Sequence, residues 1–125
     1  MKANILLVDD DEDMLLLFQR ILERDGYSVE AATTGREALD LCESSVFQLA
    51  IVDIKLPDIP GNDLVAQLRE SDDSMVFILI TGYPSLQECI DVLDLGIHEI
   101  LLKPIEVDEL LSVTSEAISP GISVQ

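Results

Sequence analysis

The chain has 125 residues, of which 48% are hydrophobic, so it is long enough and apolar enough to fold as one domain with its own core, which argues against disorder. It carries 25 acidic residues against 7 basic ones, and the resulting net charge of −18 argues against binding to nucleic acid or to an anionic membrane surface. Aromatic residues make up only 4% of the chain, which predicts a core built mainly from Leu, Ile and Val.

Five short apolar runs recur at fairly even intervals, and each is predicted to be a β-strand. Three of them are nearly continuous in Ile, Leu and Val, which is typical of strands covered on both faces of a parallel sheet. The second run alternates more and is predicted to lie at an edge. In chain order the runs are Asn4–Val8 (NILLV), Tyr27–Ala32 (YSVEAA), Gln48–Val52 (QLAIV), Met75–Ile80 (MVFILI) and His98–Leu102 (HEILL).

Between and after these runs, apolar residues recur at helical spacing and predict five helices. Gly26 and Gly96 are the predicted stops of the first and fourth helices. The alternation predicts a doubly wound α/β domain with right-handed crossovers. The predicted apolar stripes are Met14, Leu17, Phe18, Ile21 and Leu22; Ala38, Leu41 and Cys42; Leu64, Val65 and Leu68; Leu86, Cys89, Ile90 and Leu93; and Val107, Leu110, Leu111, Thr114 and Ile118.

Two features bear on the cellular compartment. Cys42 and Cys89 are far apart and lie among apolar residues at helical spacing, which indicates reduced thiols in the core. The first apolar run stops at Asp9. It is shorter than the roughly 7 residues of a signal-peptide core and the roughly 20 of a membrane span. We therefore expect a cytoplasmic protein.

Polar residues stand at the carboxyl ends of four of the five predicted strands. They are Asp9-Asp10, Asp53, Thr81-Gly82 and Lys103-Pro104. Taken singly, each has an ordinary explanation, such as a helix cap or a solvated strand end. In doubly wound folds, however, the carboxyl ends of parallel strands meet at the crevice where ligands bind, so the four ends together predict a functional site.

Three carboxylates at one edge repel one another unless a cation lies between them. A hard divalent cation such as Mg2+ suits Asp9, Asp10 and Asp53, because it prefers oxygen ligands. A zinc site is not indicated, because there is no Cys/His cluster and His98 is the only histidine. The cation and Lys103 can clamp a phosphoryl group, and an aspartate carboxylate is a competent acceptor of one. Asp53, alone at the middle of the edge, suits that acceptor role.

Four segments of the chain, in their order and spacing, resemble the receiver domain of two-component response regulators. The resemblance covers the chain from about Asn4 to Ile118. It implies a CheY-like, flavodoxin-like fold, in which a five-stranded parallel sheet of order 2-1-3-4-5 packs with five helices. It also implies a single receiver domain over residues 1–125, with a core of about 4–118 and a frayed C-terminal tail of 119–125. The segments are ILLVDDDED from Ile5, IVDIKLPDIPG from Ile51, ILITGY from Ile78 and LLKP from Leu101.

The resemblance also implies a role for each carboxylate of the predicted edge. Asp53 is similar to the phosphoacceptor of the family. Asp10 is similar to the direct Mg2+ ligand, and Asp9 to the carboxylate that assists it, often through water. The backbone carbonyl of Lys55 is the remaining metal ligand that the resemblance implies.

Near the ends of the last two predicted strands, two residues match the family and one departs from it. Thr81 resembles the switch hydroxyl that turns toward the phosphoryl group, and Lys103 resembles the lysine that pairs with the phosphoryl oxygens and the acceptor. The bond between Lys103 and Pro104 is a candidate for the cis form, because it is typically cis in the family. Ile100 departs from the pattern, since receivers usually carry Phe or Tyr there. We therefore expect no aromatic rotamer switch at this position.

The function implied by the resemblance is a phosphoacceptor switch, which takes a phosphoryl group from a histidine kinase or a histidine phosphotransfer domain with Mg2+. Such a domain catalyses its own phosphorylation and dephosphorylation but is not a metabolic enzyme. Between Ser85 and Ile118 the chain has eight acidic residues, and Lys103 is the only Lys or Arg. Like charges therefore oppose pairing through this part of the surface, and we expect a monomer at neutral pH and moderate salt, or a dimer through another surface. Weak or phosphorylation-dependent self-association is compatible with this expectation.

Three alternative functions differ from this one in the residues that they require. A phosphatase of the haloacid-dehalogenase type needs a second aspartate two residues after the nucleophile, and Lys55 stands there. A flavodoxin-like FMN binder needs a phosphate loop after the first strand, where Asp9, Asp10 and Asp11 would repel the phosphate. A phosphorylation-independent interaction module is the runner-up, because Ile100 replaces the usual aromatic residue.

Overall fold

The structure, a computed structural model, describes residues 3–82, 85 and 94–118. All five predicted strands are present in this part of the chain, together with four helices. The helix predicted around Leu86–Leu93 and the tail lie outside it. The elements are β1 (Asn4–Val8), α1 (Glu12–Arg24), β2 (Ser28–Ala32), α2 (Gly35–Ser44), β3 (Leu49–Asp53), α3 (Gly61–Ser71), β4 (Val76–Thr81), β5 (Glu99–Leu102) and α4 (Val107–Ile118).

The strands form one parallel sheet in the order β2-β1-β3-β4-β5. This confirms the doubly wound order that the resemblance implied. In the register, Leu7 of β1 lies beside Ile51 of β3, and Asp53 at the end of β3 lies beside Ile80 of β4. Because all strands run in one direction, the carboxyl ends of β1, β3, β4 and β5 share one edge of the sheet.

Alternate residues of the central strands supply two hydrophobic clusters, one on each face of the sheet. Leu6 and Val52 belong to the cluster that includes residues of α2 and α3. Leu7 and Ile51 belong to the cluster that includes residues of α1 and α4. Coverage of both faces explains why these strands read as nearly continuous apolar runs. At the edge, β2 alternates more between exposed and buried residues, as predicted.

The buried faces of two helices differ from the predicted stripes. In α1, Leu15 is buried, whereas Leu17, which we predicted to face the core, is 54% exposed. The run MLLLF offers more than one apolar frame at helical spacing, and packing selects the frame through Leu15, Phe18 and Leu22. In α4, Val107 was also predicted to be buried, but it lies in the first turn and is 46% exposed.

The ends of α1 follow from local chemistry. Asp11 caps its first turn, because the Asp11 carboxylate accepts a hydrogen bond from Met14 N at 3.1 Å. Gly26 follows the helix with a φ of 103°, a left-handed conformation that glycine adopts without a steric penalty. The predicted stop at Gly26 is thus confirmed. Gly96, with a φ of 69°, marks a similar turn before β5.

Cys42 is a free thiol that packs, partly buried, against the cluster on the α2 and α3 side. Burial raises the pKa of this thiol, so it stays protonated at neutral pH. Cys89 lies outside the described residues.

Within residues 3–82, 85 and 94–118, no helix combines the length and the apolarity that crossing a membrane requires.

Candidate functional site

The polar residues at four strand ends lie along one edge of the sheet, as the strand order requires. Asp9 follows β1, Asp53 ends β3, Thr81 ends β4 and Lys103 follows β5. Asp9 and Asp53 are only 1% and 4% exposed, and Thr81 is fully buried. Asp10, next to Asp9, is exposed. Burial of two carboxylates and a hydroxyl at one edge distinguishes this place from an ordinary solvated sheet end.

Asp9, Asp10 and Asp53 form a compact acidic cluster, in which one carboxylate oxygen of each lies within 4.8 Å of the others. Like charges at this spacing are unfavourable alone but suit a hard divalent cation, which binds through oxygen ligands. Asp9 Oδ2 is buried and has no aligned hydrogen bond within the described part of the chain. By ligand type and spacing, these residues fit a Mg2+ ion.

Lys103 lies against the same cluster. Its Nζ donates a hydrogen bond to Asp53 Oδ2 at 2.9 Å and lies 3.0 Å from Asp9 Oδ2. The second contact brings the charges together without hydrogen-bond alignment. Burial would lower the pKa of Lys103, but the two carboxylates outweigh burial and hold the pKa above its ordinary 10.5. Lys103 is therefore a fixed cation at neutral pH.

Asp9 has the most strongly shifted pKa at the site. Several effects together raise the pKa of its carboxyl from 3.8 to about 6, and burial is the largest of them. The backbone N–H of Asp11, which donates to Asp9 Oδ1 at 2.9 Å, and the ammonium of Lys103 act in the opposite direction, while the charge of Asp53 raises the pKa further. Burial is therefore the main cause of the raised pKa, and the charge of Asp53 adds to it.

The Asp53 carboxylate is held at both oxygens. Oδ1 accepts a hydrogen bond from Lys55 N at 2.9 Å, while Oδ2 accepts the one from Lys103. The side chain of Lys55 is exposed, so this residue contributes to the site through its backbone. Both the position and the orientation of the predicted acceptor are therefore set by the fold before any ligand arrives.

The chain folds back directly after Asp53. Lys55 pairs with Pro60 in an antiparallel bridge, and Gly61 N donates a hydrogen bond to Ile54 O at 2.7 Å. A Cβ atom on Gly61 would collide with the carbonyl oxygen of Asp53 and lie 2.7 Å from the Cα of Ile54. Only glycine permits this close approach. We call residues Lys55–Pro60 the β3–α3 loop.

The Thr81 hydroxyl is buried and has no hydrogen-bond partner among the residues that the structure describes. A buried hydroxyl without a partner is uncommon, and this one lies at the same edge of the sheet as Asp53 and Lys103. The carbonyl of Thr81 accepts a hydrogen bond from Lys103 N at 2.8 Å, which joins the ends of β4 and β5.

The bond between Lys103 and Pro104 is cis, as predicted. Ile100 is partly buried and packs against the cluster on the α2 and α3 side.

One long-range contact of the site region has no counterpart in the sequence predictions. In the β3–α3 loop, Asp58 Oδ1 accepts a hydrogen bond from Gly35 N and Asp58 Oδ2 accepts one from Arg36 N, both at 2.9 Å. The pattern PDIPG indicates a turn at this place. Nothing in that pattern identifies a partner that lies 22 or 23 positions earlier in the chain.

Known proteins resemble the chain over most of its length. The sequence profile of the response regulator receiver domain matches residues 5–115. The response regulator MprA of Mycolicibacterium vanbaalenii is 38% identical over 112 residues, and the uncharacterized transcriptional regulatory protein YkoG of Bacillus subtilis is 34% identical over 111. These alignments cover 90% and 89% of this chain but 48% and 49% of the relatives, so the chain spans about half the length of the curated relatives it matches.

A solved structure extends the comparison to the fold. The crystal structure of a CheY-like response regulator receiver domain protein from Methanospirillum hungatei superposes with a TM-score of 0.94. The two sequences are 35% identical, and the superposition covers 100% of both chains.

Proposed function

The chain belongs to the family of response regulator receiver domains, and from this premise we propose that it is a phosphoacceptor switch in which Asp53 receives the phosphoryl group. One observation carries the assignment of the residue. Asp53 is buried at a strand end, with Lys103 Nζ 2.9 Å from one carboxylate oxygen and the carboxylates of Asp9 and Asp10 beside it. A nucleophile among fixed charges suits phosphoryl transfer, which depends mostly on positioning and charge neutralisation.

The proposed metal is Mg2+. Asp9, Asp10 and Asp53 would supply carboxylate oxygens, and Lys55 would supply its backbone carbonyl. When bound, the ion offsets negative charge on the phosphoryl oxygens. The exposure of Asp10 supports this choice, because Mg2+ usually keeps several water ligands and binds through few carboxylates.

The residues of the chain account for the remaining requirements of the transfer. A carboxylate oxygen of Asp53 attacks phosphorus, the P–N bond of a phosphohistidine donor breaks, and the donor nitrogen keeps the bonding electrons. Lys103 offsets the charge of the phosphoryl oxygens, and the Thr81 hydroxyl donates a hydrogen bond to one of them. In the later hydrolysis, water attacks phosphorus, the bond between phosphorus and the Asp53 oxygen breaks, and phosphate and the free Asp53 carboxylate are released.

The proposed phosphoryl donors are a sensor histidine kinase or a histidine phosphotransfer domain, because both present phosphohistidine. The proposal includes a receiver core of about residues 4–118, a tail of 119–125 and a cytoplasmic location. The interaction-module alternative gains no support from the geometry, since the acidic cluster and Lys103 are both in place.

We also infer that the chain is a monomer at neutral pH. Within residues 94–118, Lys103 is the only Lys or Arg, and its ammonium is engaged by Asp53 and Asp9. Symmetric pairing through this part of the surface would bring like charges together. A dimer that pairs through this face and is insensitive to salt, seen by small-angle scattering and cross-linking, would contradict the inference. The exposed acidic residues of this segment are Asp94, Glu99, Glu106, Asp108, Glu109 and Glu116.

The experiment that tests the proposed function uses phosphoramidate, a small donor whose P–N bond resembles that of phosphohistidine. We expect the intact mass of the wild type to gain one phosphoryl group with Mg2+ and none with EDTA. Asp53→Asn should gain none, while the control Asp40→Asn, at an exposed carboxylate of α2, should behave as the wild type. An unmodified wild type would instead favour the interaction module, and labelling of Asp53→Asn would refute the assigned residue.

A further inference from the structure

The carboxylate of Asp58 joins the β3–α3 loop to the first turn of α2. Each oxygen accepts one backbone hydrogen bond from the helix, from Gly35 N and from Arg36 N, both at 2.9 Å. Oδ1 also accepts from Ile59 N at 3.0 Å. These backbone donors lower the pKa of Asp58, so it is ionised at neutral pH. The carboxylate thus connects the loop to the helix by hydrogen bonds.

Asp58 pairs with backbone N–H groups in the first turn of α2 that have no partner inside the helix. A helix begins with N–H groups that have no partner inside the helix. Thr34 Oγ1 accepts the hydrogen bond from Glu37 N at 3.0 Å, which leaves the N–H groups of Gly35 and Arg36 for Asp58. A negative charge at this end is also favoured by the helix dipole.

Packing supports the same junction. A Cβ atom on Gly35 would lie 2.5 Å from Cγ1 of Ile59, the residue after Asp58. The absence of a side chain at Gly35 therefore lets the loop approach the helix closely enough for both hydrogen bonds. The helix dipole, the two hydrogen bonds of Asp58 and the close packing at Gly35 therefore all favour the same position for the tip of the loop.

The other end of the loop is part of the site. Lys55 N donates to Asp53 Oδ1, and the bridge between Lys55 and Pro60 closes the loop on itself. Because the loop is closed, a displacement of its tip at Asp58 is passed to the backbone of Lys55. The loop is thus fixed at two places, on α2 and on the acceptor carboxylate.

We propose that Asp58 is a positioning residue of the site: by fastening the β3–α3 loop to α2, it sets the backbone of Lys55, whose N–H orients Asp53 and whose carbonyl would bind Mg2+. This inference rests on the proposed function. Outer-shell contacts of this kind raise metal affinity by holding ligands in place. Since the coupling is reciprocal, binding of Mg2+ changes the surroundings of the Gly35 and Arg36 amides.

The test compares the wild type with Asp58→Ala, Asp58→Asn and Asp72→Ala. Asp72 is a matched control, because its carboxylate accepts hydrogen bonds from Ser74 N and Ser74 Oγ in a turn at the opposite end of the sheet. Mg2+ affinity is measured by calorimetry, the amides of Gly35 and Arg36 are followed by NMR during the titration, and thermal unfolding is recorded for each variant.

We expect Asp58→Ala to weaken Mg2+ binding on the order of tenfold. The response of the Gly35 amide should also be lost. Asp58→Asn should lie between this variant and the wild type, because its amide keeps one acceptor oxygen and adds a donor that the helix N–H groups repel. Asp72→Ala should bind Mg2+ as the wild type does, whatever its effect on unfolding.

The outcomes separate the two proposals. If the wild type binds no Mg2+, the metal site of the proposed function is wrong, and the role of Asp58 is refuted with it. If the wild type binds Mg2+ and both Asp58 variants bind it equally well, the proposed function stands and the positioning role is refuted. The same holds if Asp58→Ala only lowers the unfolding temperature and leaves the affinity unchanged. If Asp58→Ala does not fold, Asp58→Asn decides the question by the same criteria.

Discussion

Lys103 Nζ lies 2.9 Å from Asp53 Oδ2, although the two residues are 50 positions apart in the sequence. The contact exists because β3 and β5 flank β4, so that the chain leaving β5 reaches the edge where β3 ends. Asp9 Oδ2 shares the same ammonium at 3.0 Å. The single ammonium of Lys103 therefore contacts two buried carboxylates, Asp53 and Asp9.

Replacement of Lys103 by Met should destabilise the protein when Mg2+ is removed with EDTA. Loss of one partner of a buried ion pair costs about 3–5 kcal/mol, and we expect about 2 kcal/mol here because the Lys103 side chain is 28% exposed and partly screened by solvent. Urea unfolding at neutral pH measures the difference. Lys55→Met, which removes an exposed lysine next to the same site, should change the unfolding free energy little. Equal effects of the two variants would contradict the account.

The raised pKa of Asp9 gives a pH dependence with a definite sign. Between the ordinary pKa of 3.8 and about 6, the folded protein holds a proton that the unfolded chain releases, so the contribution of Asp9 to stability falls as the pH rises. Asp9→Asn has no such titration. In EDTA, the unfolding free energy of the variant relative to the wild type should therefore increase by roughly 2 kcal/mol between about pH 4 and pH 7. A flat or falling difference would show that the pKa of Asp9 is not raised.

Two buried threonines allow structural and functional effects of one substitution to be separated. The hydroxyls of Thr81 and Thr114 are both buried without a hydrogen-bond partner in the described part of the chain. Replacement of either by Val removes an unpaired polar group and should stabilise the protein by about 1 kcal/mol. Only Thr81→Val should slow labelling by phosphoramidate, by about tenfold, because it removes a donor to a charged oxygen. Equal labelling rates for the two variants would contradict the role of Thr81.

Gly61 should be intolerant of any side chain. In Gly61→Ala, the added Cβ meets backbone atoms of Asp53 and Ile54, which cannot move without disturbing the acceptor. We expect a loss of about 2–3 kcal/mol in unfolding free energy, as for other overpacked sites, together with slower labelling. At Gly82, beside the same site, a Cβ meets nothing within 4 Å in the described residues, so Gly82→Ala is the control. A Gly61→Ala variant as stable as Gly82→Ala would exclude the close approach.

Much of the fold could be predicted from the sequence because the central strands are covered on both faces. Their apolar runs are nearly continuous, and the observed β1, β3 and β4 lie within one residue of the predicted ends at each side. Periodicity was less decisive in α1, where the run MLLLF fits more than one frame and Leu17 was wrongly assigned to the core. The order of the strands depends on long-range pairing, and it came from the resemblance rather than from the pattern of residues.

The placement of the candidate site could be predicted for a similar reason. A polar residue at the end of an apolar strand is easily recognised, and a parallel sheet brings such ends together. The position of Asp9, Asp53, Thr81 and Lys103 at one edge could therefore be predicted. Asp58 could not, because it stands in a polar turn where an aspartate is ordinary. Its partners are backbone N–H groups, which carry no signature in the sequence, and only the folded chain brings them within 2.9 Å.

The central claim is that Asp53, and not Asp9 or Asp10, carries the phosphoryl group. It is tested most directly by treating the protein with acetyl phosphate and Mg2+, removing the excess donor and adding hydroxylamine, which displaces phosphate from an acyl phosphate and leaves a stable hydroxamate. Peptide mass mapping then locates the modified residue. We expect a hydroxamate at Asp53 alone, and none when Mg2+ is withheld. A hydroxamate at Asp9 or Asp10, or its absence from every aspartate, would contradict the central claim.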